Sequence, residues 1–441
     1  MEGDPLKAAL HSVHETAGTP GRGLSGATLG FFIGFAAVSL FGPTAKSLRG
    51  IMGLDPLEIG FLVAVPSLSG SLLRIPFSAW VDTTGGKKPF LILLLLSIVG
   101  MAGLFLTLHS FYPDRMTPSF YPLILVLGVF CGCGIATFSV GIGQVSYWYP
   151  KARQGAALGT YAGIGNLAPG IFTLLLPFAL VSLGLAGSYL AWLAFLAAGT
   201  AAYAVLGRNA WYFQMTARGV SREDAKAASA VRGQEIFPSG NLVESLLLSA
   251  KNWKTWALVG IYFTSFGGFI AMTAWLPVYW TSFFSTTVVA AGTLAGAYSI
   301  VTSLVRVGGG DLSDRIGGET TGILALGVML AGAILMTLSR DFHLSAVAQI
   351  VMAVGMGGTN AAVFKLVPQE IPEAVGGAAG WVGGLGAFGG FAIPPLMETI
   401  VQLRGTGGYA AGFAVFAFLA AISLLLVEIL RRKRAKAPSR A

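Results

Sequence analysis

Long apolar runs alternate with short polar breaks along the chain, and their lengths predict its elements. Twelve runs begin near Ala27, Leu57, Pro89, Phe120, Gly155, Gly184, Trp253, Val288, Thr320, His343, Gly376 and Tyr409. Each is close to the roughly 20 residues of helix that cross a hydrocarbon core about 30 Å thick. Most breaks are very short. The exception runs from Arg208 to about Asn252 and carries Arg218, Arg222, Glu223, Asp224, Lys226, Arg232 and Glu235. The pattern predicts an all-α polytopic membrane protein: a six-helix half over 1–207, a linker over 208–252, and a second six-helix half over 253–441 that ends in a basic tail.

Composition points the same way. Of 441 residues, 54% are hydrophobic and 11% charged, against about 25% charged in an average soluble domain. Such a chain could not cover its surface in water, which excludes most soluble enzyme classes. The 61 glycines, roughly twice the usual share, suit helices packed backbone to backbone.

A net charge of +9 could mark a nucleic-acid binder, but the charges lie almost entirely between the apolar runs, so the expected partner is the bilayer and not nucleic acid. With both termini and the linker on the cytoplasmic side, 20 of the 28 Lys and Arg fall inside and five outside (Lys46, Arg49, Arg115, Arg340, Arg404). That bias predicts a multi-pass plasma (inner) membrane protein with cytoplasmic termini, its Arg431–Arg434 tail acting as an anchor. No early cleavable signal peptide is evident, and the first apolar run is expected to persist. Cys131 and Cys133 share one run and are expected to be core thiols.

The other three cations, Arg74, Arg306 and Lys365, lie inside apolar runs, where a charge costs several kcal/mol unless it faces a partner or a water-filled path. An internal repeat relates the two arginines. Arg74 and Asp82 are eight residues apart, as are Arg306 and Asp314; at a constant offset of 232, Gly85-Gly86 also matches Gly317-Gly318. A second repeat, at offset 221, matches Gly155, Gly159, Gly163 and Gly165 to Gly376, Gly380, Gly384 and Gly386. Two halves with the same topology are related by a pseudo-twofold axis along the membrane normal. Eight helical residues rise about 12 Å, so if the two aspartates mark the inner surface, both arginines lie near the midplane.

Two cations at one depth repel, and only Glu398 and Glu428 come close to lying in a span, each near its end. A bound anion satisfies both arginines; pairing with a carboxylate or with helix carbonyls is the structural alternative. A guanidinium fork suits a planar oxyanion such as nitrate, nitrite or a carboxylate. Glycine at every fourth position in the fifth and eleventh spans predicts smooth sliding faces and a narrow cavity.

The segment from Gly310 to Asp314-Arg315-Ile316-Gly317 resembles the loop motif G-x-x-x-D-R-x-G of the major facilitator superfamily; the first-half copy departs from it at Ser78 and Thr83. Gly163-Ile164-Gly165-Asn166 and the run Gly380 to Gly390 resemble the two signature segments of its nitrate/nitrite porter (NarK-type) family. Leu73-Arg74-Ile75-Pro76 and Phe364-Lys365-Leu366-Val367-Pro368 extend the likeness over nearly the whole chain. The resemblance implies a major facilitator fold and substrate contacts from Arg74, Arg306, Asn166, Tyr262, Phe138 and Phe266. It also implies conformational glycines at Gly163, Gly165, Gly384 and Gly386, and a gating motif at Asp82, Asp314 and Arg315.

The implied activity is secondary transport of nitrate, nitrite or both by alternating access, with the chain acting as a monomer. No Asp, Glu or His falls mid-span (His11, His14, His109 and His343 are in tails or at span ends), which favours exchange. Lys365 is a candidate coupling group, with snorkelling towards the cytoplasm as its simpler role. Proton symport, another small anion such as a short carboxylate, and a non-transporting sensor or channel are the alternatives. There is no metal-ligand cluster, no nucleophile with a base and no G-x-x-x-x-G-K-[ST] loop, so neither an enzyme nor a cofactor is expected.

Overall fold

The computed structural model describes residues 16–150, 153–238, 242–371 and 374–435. Lys7, His11, His14, Lys151, Lys436 and Arg440 lie outside the described residues. Among those described there is no strand, and eleven helical stretches are long and apolar enough to cross a membrane. Five lie before the linker helices: α1 (Pro20–Ser39), α2 (Pro56–Thr84), α3 (Lys87–Phe111), α4 (Pro118–Ser146), and the stretch Gln154–Leu206, which is too long for one crossing. Gly184 (φ 69°, ψ −179°) turns that stretch back on itself, giving α5 (154–183) and α6 (185–206). Only a residue without a Cβ adopts this conformation cheaply. The second set is α7 (Trp253–Phe283), α8 (Val288–Ile316), α9 (Gly318–Leu338), α10 (Phe342–Glu370), α11 (375–404) and α12 (408–435). The twelve expected spans are present.

Local chemistry starts and stops these helices. Asp55 caps α2 in a reciprocal pair with Glu58, and Pro56 supplies the first helical φ. At their other ends α2 and α8 stop on Gly85 (φ 75°, ψ 169°) and Gly317 (φ 87°, ψ 150°), which are equivalent at offset 232. The sequence repeat is therefore also a repeat of backbone conformation.

Both described chain ends gather with the linker at one face. Gln214 exchanges hydrogen bonds with Ala17, and Arg434 donates to Glu319 at 2.6 Å. The linker forms helices Trp211–Thr216, Arg222–Val231 and Leu242–Lys251; the last lies on α11, where Trp381 Nε1 donates to the Leu246 carbonyl at 3.0 Å.

Across the molecule, α5 packs on α8 and α2 on α11, the two pairs the repeat makes equivalent. These contacts are tight at the face away from the linker, the far face. A methyl built on Gly170 would fall 2.8 Å from Ile300 Cγ1, and one on Gly60 would fall 2.9 Å from Pro395 Cα. Towards the linker the helices diverge: a methyl on Gly163 would meet Val307 at 3.3 Å, and one on Gly159 or Gly308 would meet nothing within 4 Å. The far face is closed, and the molecule opens towards the linker.

Candidate functional site

The site is built where four helices depart from regular α geometry. Pro76 has no N–H to return to Leu72, and α2 breaks at Leu73, so Arg74 begins a new helix. In α4 a 3₁₀ turn, Cys133–Ala136, precedes Phe138. In α7 a π-helical turn, Phe263–Gly267, contains Phe266 and follows Tyr262; such turns often mark functional positions. In α11 the helix is interrupted at Phe388, just past the glycine run.

Arg74 and Arg306 face the same two rings. The Arg74 Cζ lies 4.9 Å from the Phe138 centroid and 5.3 Å from that of Phe266; for Arg306 the distances are 6.0 and 5.3 Å. Tyr262 lies flat on Phe266, with centroids 4.8 Å apart and planes 8° apart, and Phe266 runs parallel to Phe35. Phe31 packs against both Phe138 and Tyr161. The cations are thus held between rings, an attraction worth about 2 kcal/mol or more when desolvated.

Their remaining hydrogen-bonding capacity points at a ligand. Arg74 is 1% exposed; its Nε donates to the Gly70 carbonyl and its Nη1 to the Gly383 carbonyl, both at 3.0 Å. Its Nη2 is buried without a partner. Arg306 donates weakly from Nη2 to the Tyr262 hydroxyl at 3.5 Å, and its Nη1 is buried and unpartnered. Among the described residues no carboxylate makes an ion pair with either guanidinium. Backbone carbonyls occupy two nitrogens of Arg74, and each arginine has one orphaned nitrogen.

Asn166 sits where α5 crosses α8. Its carbonyl accepts from Ser303 Oγ at 2.9 Å, one turn from Arg306, and its buried Oδ1 has no partner. The four glycines divide by pairs. Gly163 and Gly384 lie on the equivalent contacts between halves, against Val307 and Ile75. Gly165 and Gly386 instead pack against rings: a methyl on Gly165 would fall 1.8 Å from Phe31 Cδ1, and one on Gly386 would fall 2.7 Å from Tyr262 Cδ1. They make room for the aromatic wall.

The loop-motif residues stand apart, near the linker face. Tyr147 donates to Asp82 Oδ1 at 2.5 Å; burial, reinforced by that carboxylate, pushes the Tyr147 hydroxyl far above its usual range, so it stays a donor. Lys365 pairs with Asp314, and the two side chains are 37% and 65% exposed. It is therefore not an unpaired midplane cation. Arg315 lies 3.9 Å from Asp311, and both are exposed. Sequence reasoning missed Phe364, which stands 5.8 Å from the Arg306 Cζ and edge-on to Tyr262. The signal was its place beside Lys365 in a stretch already singled out.

Twelve spans in two equivalent sets, tight at one face and parted at the other around the Arg74 and Arg306 side chains, define the fold of a multi-pass membrane transporter. The chain belongs to the Major Facilitator Superfamily, whose model matches residues 27–394, and within it to the NarK-type porters. It is 31% identical over 433 residues to the probable nitrate/nitrite antiporter NarK1 of Thermus thermophilus, covering 91% of this chain and 89% of that one. It is 28% identical to the probable nitrate transporter NarT of Staphylococcus epidermidis (90% and 94%) and 27% identical to the nitrite extrusion protein of Bacillus subtilis (92% and 93%). Among solved structures, the partially occluded inward-open xylose transporter XylE of E. coli superposes with a TM-score of 0.66 at 13% identity, covering 94% of this chain and 98% of that one.

Proposed function

We propose that this chain is a secondary transporter that exchanges nitrate and nitrite by alternating access. The observation that carries this reading is the pair of guanidiniums against shared rings, each with one buried, unpartnered nitrogen and, among the described residues, neither paired with a carboxylate. A small planar anion accepts from both arginines at once, and Tyr262 and Asn166 complete its polar contacts. The names of the relatives, an antiporter and nitrate transporters, support the same substrate class. Anion binding relieves the repulsion between the arginines and so favours a state in which residues 1–207 and 253–441 draw together. Both termini are cytoplasmic in this scheme, the protein works as a monomer in the plasma membrane, and no chemical step is catalysed.

The test is counterflow in liposomes preloaded with nitrite. External nitrite or nitrate is expected to drive exchange, while acetate, formate and chloride compete poorly. Fast net efflux into anion-free, pH-clamped medium would contradict obligatory exchange. Effective competition by a short carboxylate would move the substrate assignment.

A further inference from the structure

Outside the anion site, α11 carries a carboxyl that its surroundings do not explain. Glu398 is 0% exposed, and neither Oε1 nor Oε2 has a hydrogen-bond partner. It lies in the closed far-side crossing of α2 and α11, where a methyl built on Gly60 would fall 3.0 Å from Glu398 Cβ. The repeat supplies an internal comparison. At offset 232 Gly60 corresponds to Gly292, and at offset 221 Glu398 corresponds to Pro177. A methyl built on Gly292 would fall 2.3 Å from Pro177 Cγ. The same crossing is built twice, filled by a proline ring in one copy and by the Glu398 methylenes with the Pro395 backbone in the other, so packing against the glycine does not require the carboxyl.

The charged neighbours are engaged elsewhere. Arg49, on the short helix Ala45–Met52, and Asp55, at the start of α2, act on Glu398 through space. Arg49 Nη1 donates across the halves to the Tyr409 hydroxyl at 3.1 Å, and Asp55 accepts from the Glu58 N–H at 2.8 Å while Glu58 caps it in return. A cavity of about 850 Å³ opens to the far side alongside, lined by Lys46, Arg49, Thr281, Val401, Gln402 and Tyr409. The parts of α7 and α12 that line it bring hydroxyls and no charge.

We infer that Glu398 is a proton-binding latch: α2 and α11 close the far side over its neutral acid and part when it ionises. A bare carboxylate buried without a donor costs several kcal/mol, and leaving it ionised therefore opposes closure. Opening the crossing gives the group water and Arg49. In the state open towards the linker, Glu398 stays packed away from that face. One proton is therefore taken from far-side water at each closure and returned to it at each opening, and none crosses the membrane. Far-side pH then sets the rate of exchange and not its driving force. This rests on the alternating-access reading above.

The test pairs transport with labelling. Exchange is measured in liposomes at equal internal and external pH, with a trapped pH dye. Wild-type exchange is expected to slow about tenfold per pH unit above its midpoint, as loss of one proton requires. Glu398→Gln should give a flat profile, and the dye should report no proton movement. Separately, Val401→Cys, compared with the parent chain, should react with a membrane-impermeant maleimide faster as pH rises, after normalisation to a free thiol. The same pH profile in wild type and Glu398→Gln, or labelling indifferent to pH, overturns the latch. So does proton movement in step with the anion that Glu398→Gln abolishes. If no anion exchanges at any pH, the transport reading fails, and the labelling still decides the latch.

Discussion

Arg74 and Gly383 come from opposite halves of the chain and are joined by a 3.0 Å hydrogen bond from Nη1 to the glycine carbonyl. One guanidinium thus tethers α2 to α11 and still keeps one nitrogen without a partner. Arg306, its equivalent, bonds only Tyr262 and makes no such tether. Formally matched residues therefore do unequal work in this state.

Arg74→Lys keeps the charge but cannot span two carbonyls and also reach an anion. Hydrogen bonds to charged groups are worth about 1.5–3 kcal/mol, so exchange should fall by about ten- to a hundredfold. Arg306→Lys should also lose most activity. Counterflow checks both; wild-type rates in either would undo the argument from geometry.

Tyr262→Phe removes the hydroxyl that Arg306 reaches and keeps the ring stacked on Phe266. The expected result is a several-fold rise in KM for nitrite at unchanged Tm. An unchanged KM would place Tyr262 in packing alone.

Gly165→Ala and Gly386→Ala should lower stability by about 1–3 kcal/mol, because each added methyl overlaps a fixed ring. Gly159→Ala, which meets nothing within 4 Å, should leave Tm where it is. Thermal unfolding in detergent separates them, and equal Tm values would remove the steric account.

Lys365→Gln should cost little stability, since an exposed pair contributes about 0.2–1 kcal/mol. If the pair with Asp314 steers the gate, Lys365→Gln and Asp314→Asn should slow exchange alike and their effects should not add. Additive losses would assign Lys365 a separate role, including the coupling role.

Much of this was legible from the sequence because it depends on spans and spacing. Twelve apolar runs give twelve crossings, Gly184 opens both the sixth run and the sixth helix, and the 232-residue offset predicted that Arg74 and Arg306 would meet. The remainder depends on backbone. No pattern marks the Gly383 carbonyl as an acceptor, and the π-turn at Phe263–Gly267 exists against Gly386 and Gly389, distant in sequence. Gly165 and Gly386 stood out as close-packing glycines, but a sequence shows an absent side chain and not the ring that fills its space. Glu398 was placed correctly near a span end, yet its isolation follows only from what α2 brings to it.

The rings of Phe35, Phe138 and Phe266 have a further consequence. Aromatic faces offer no lone pairs along which water could queue, so the rings that flank Arg74 and Arg306 disfavour a continuous file of hydrogen-bonded solvent beside them.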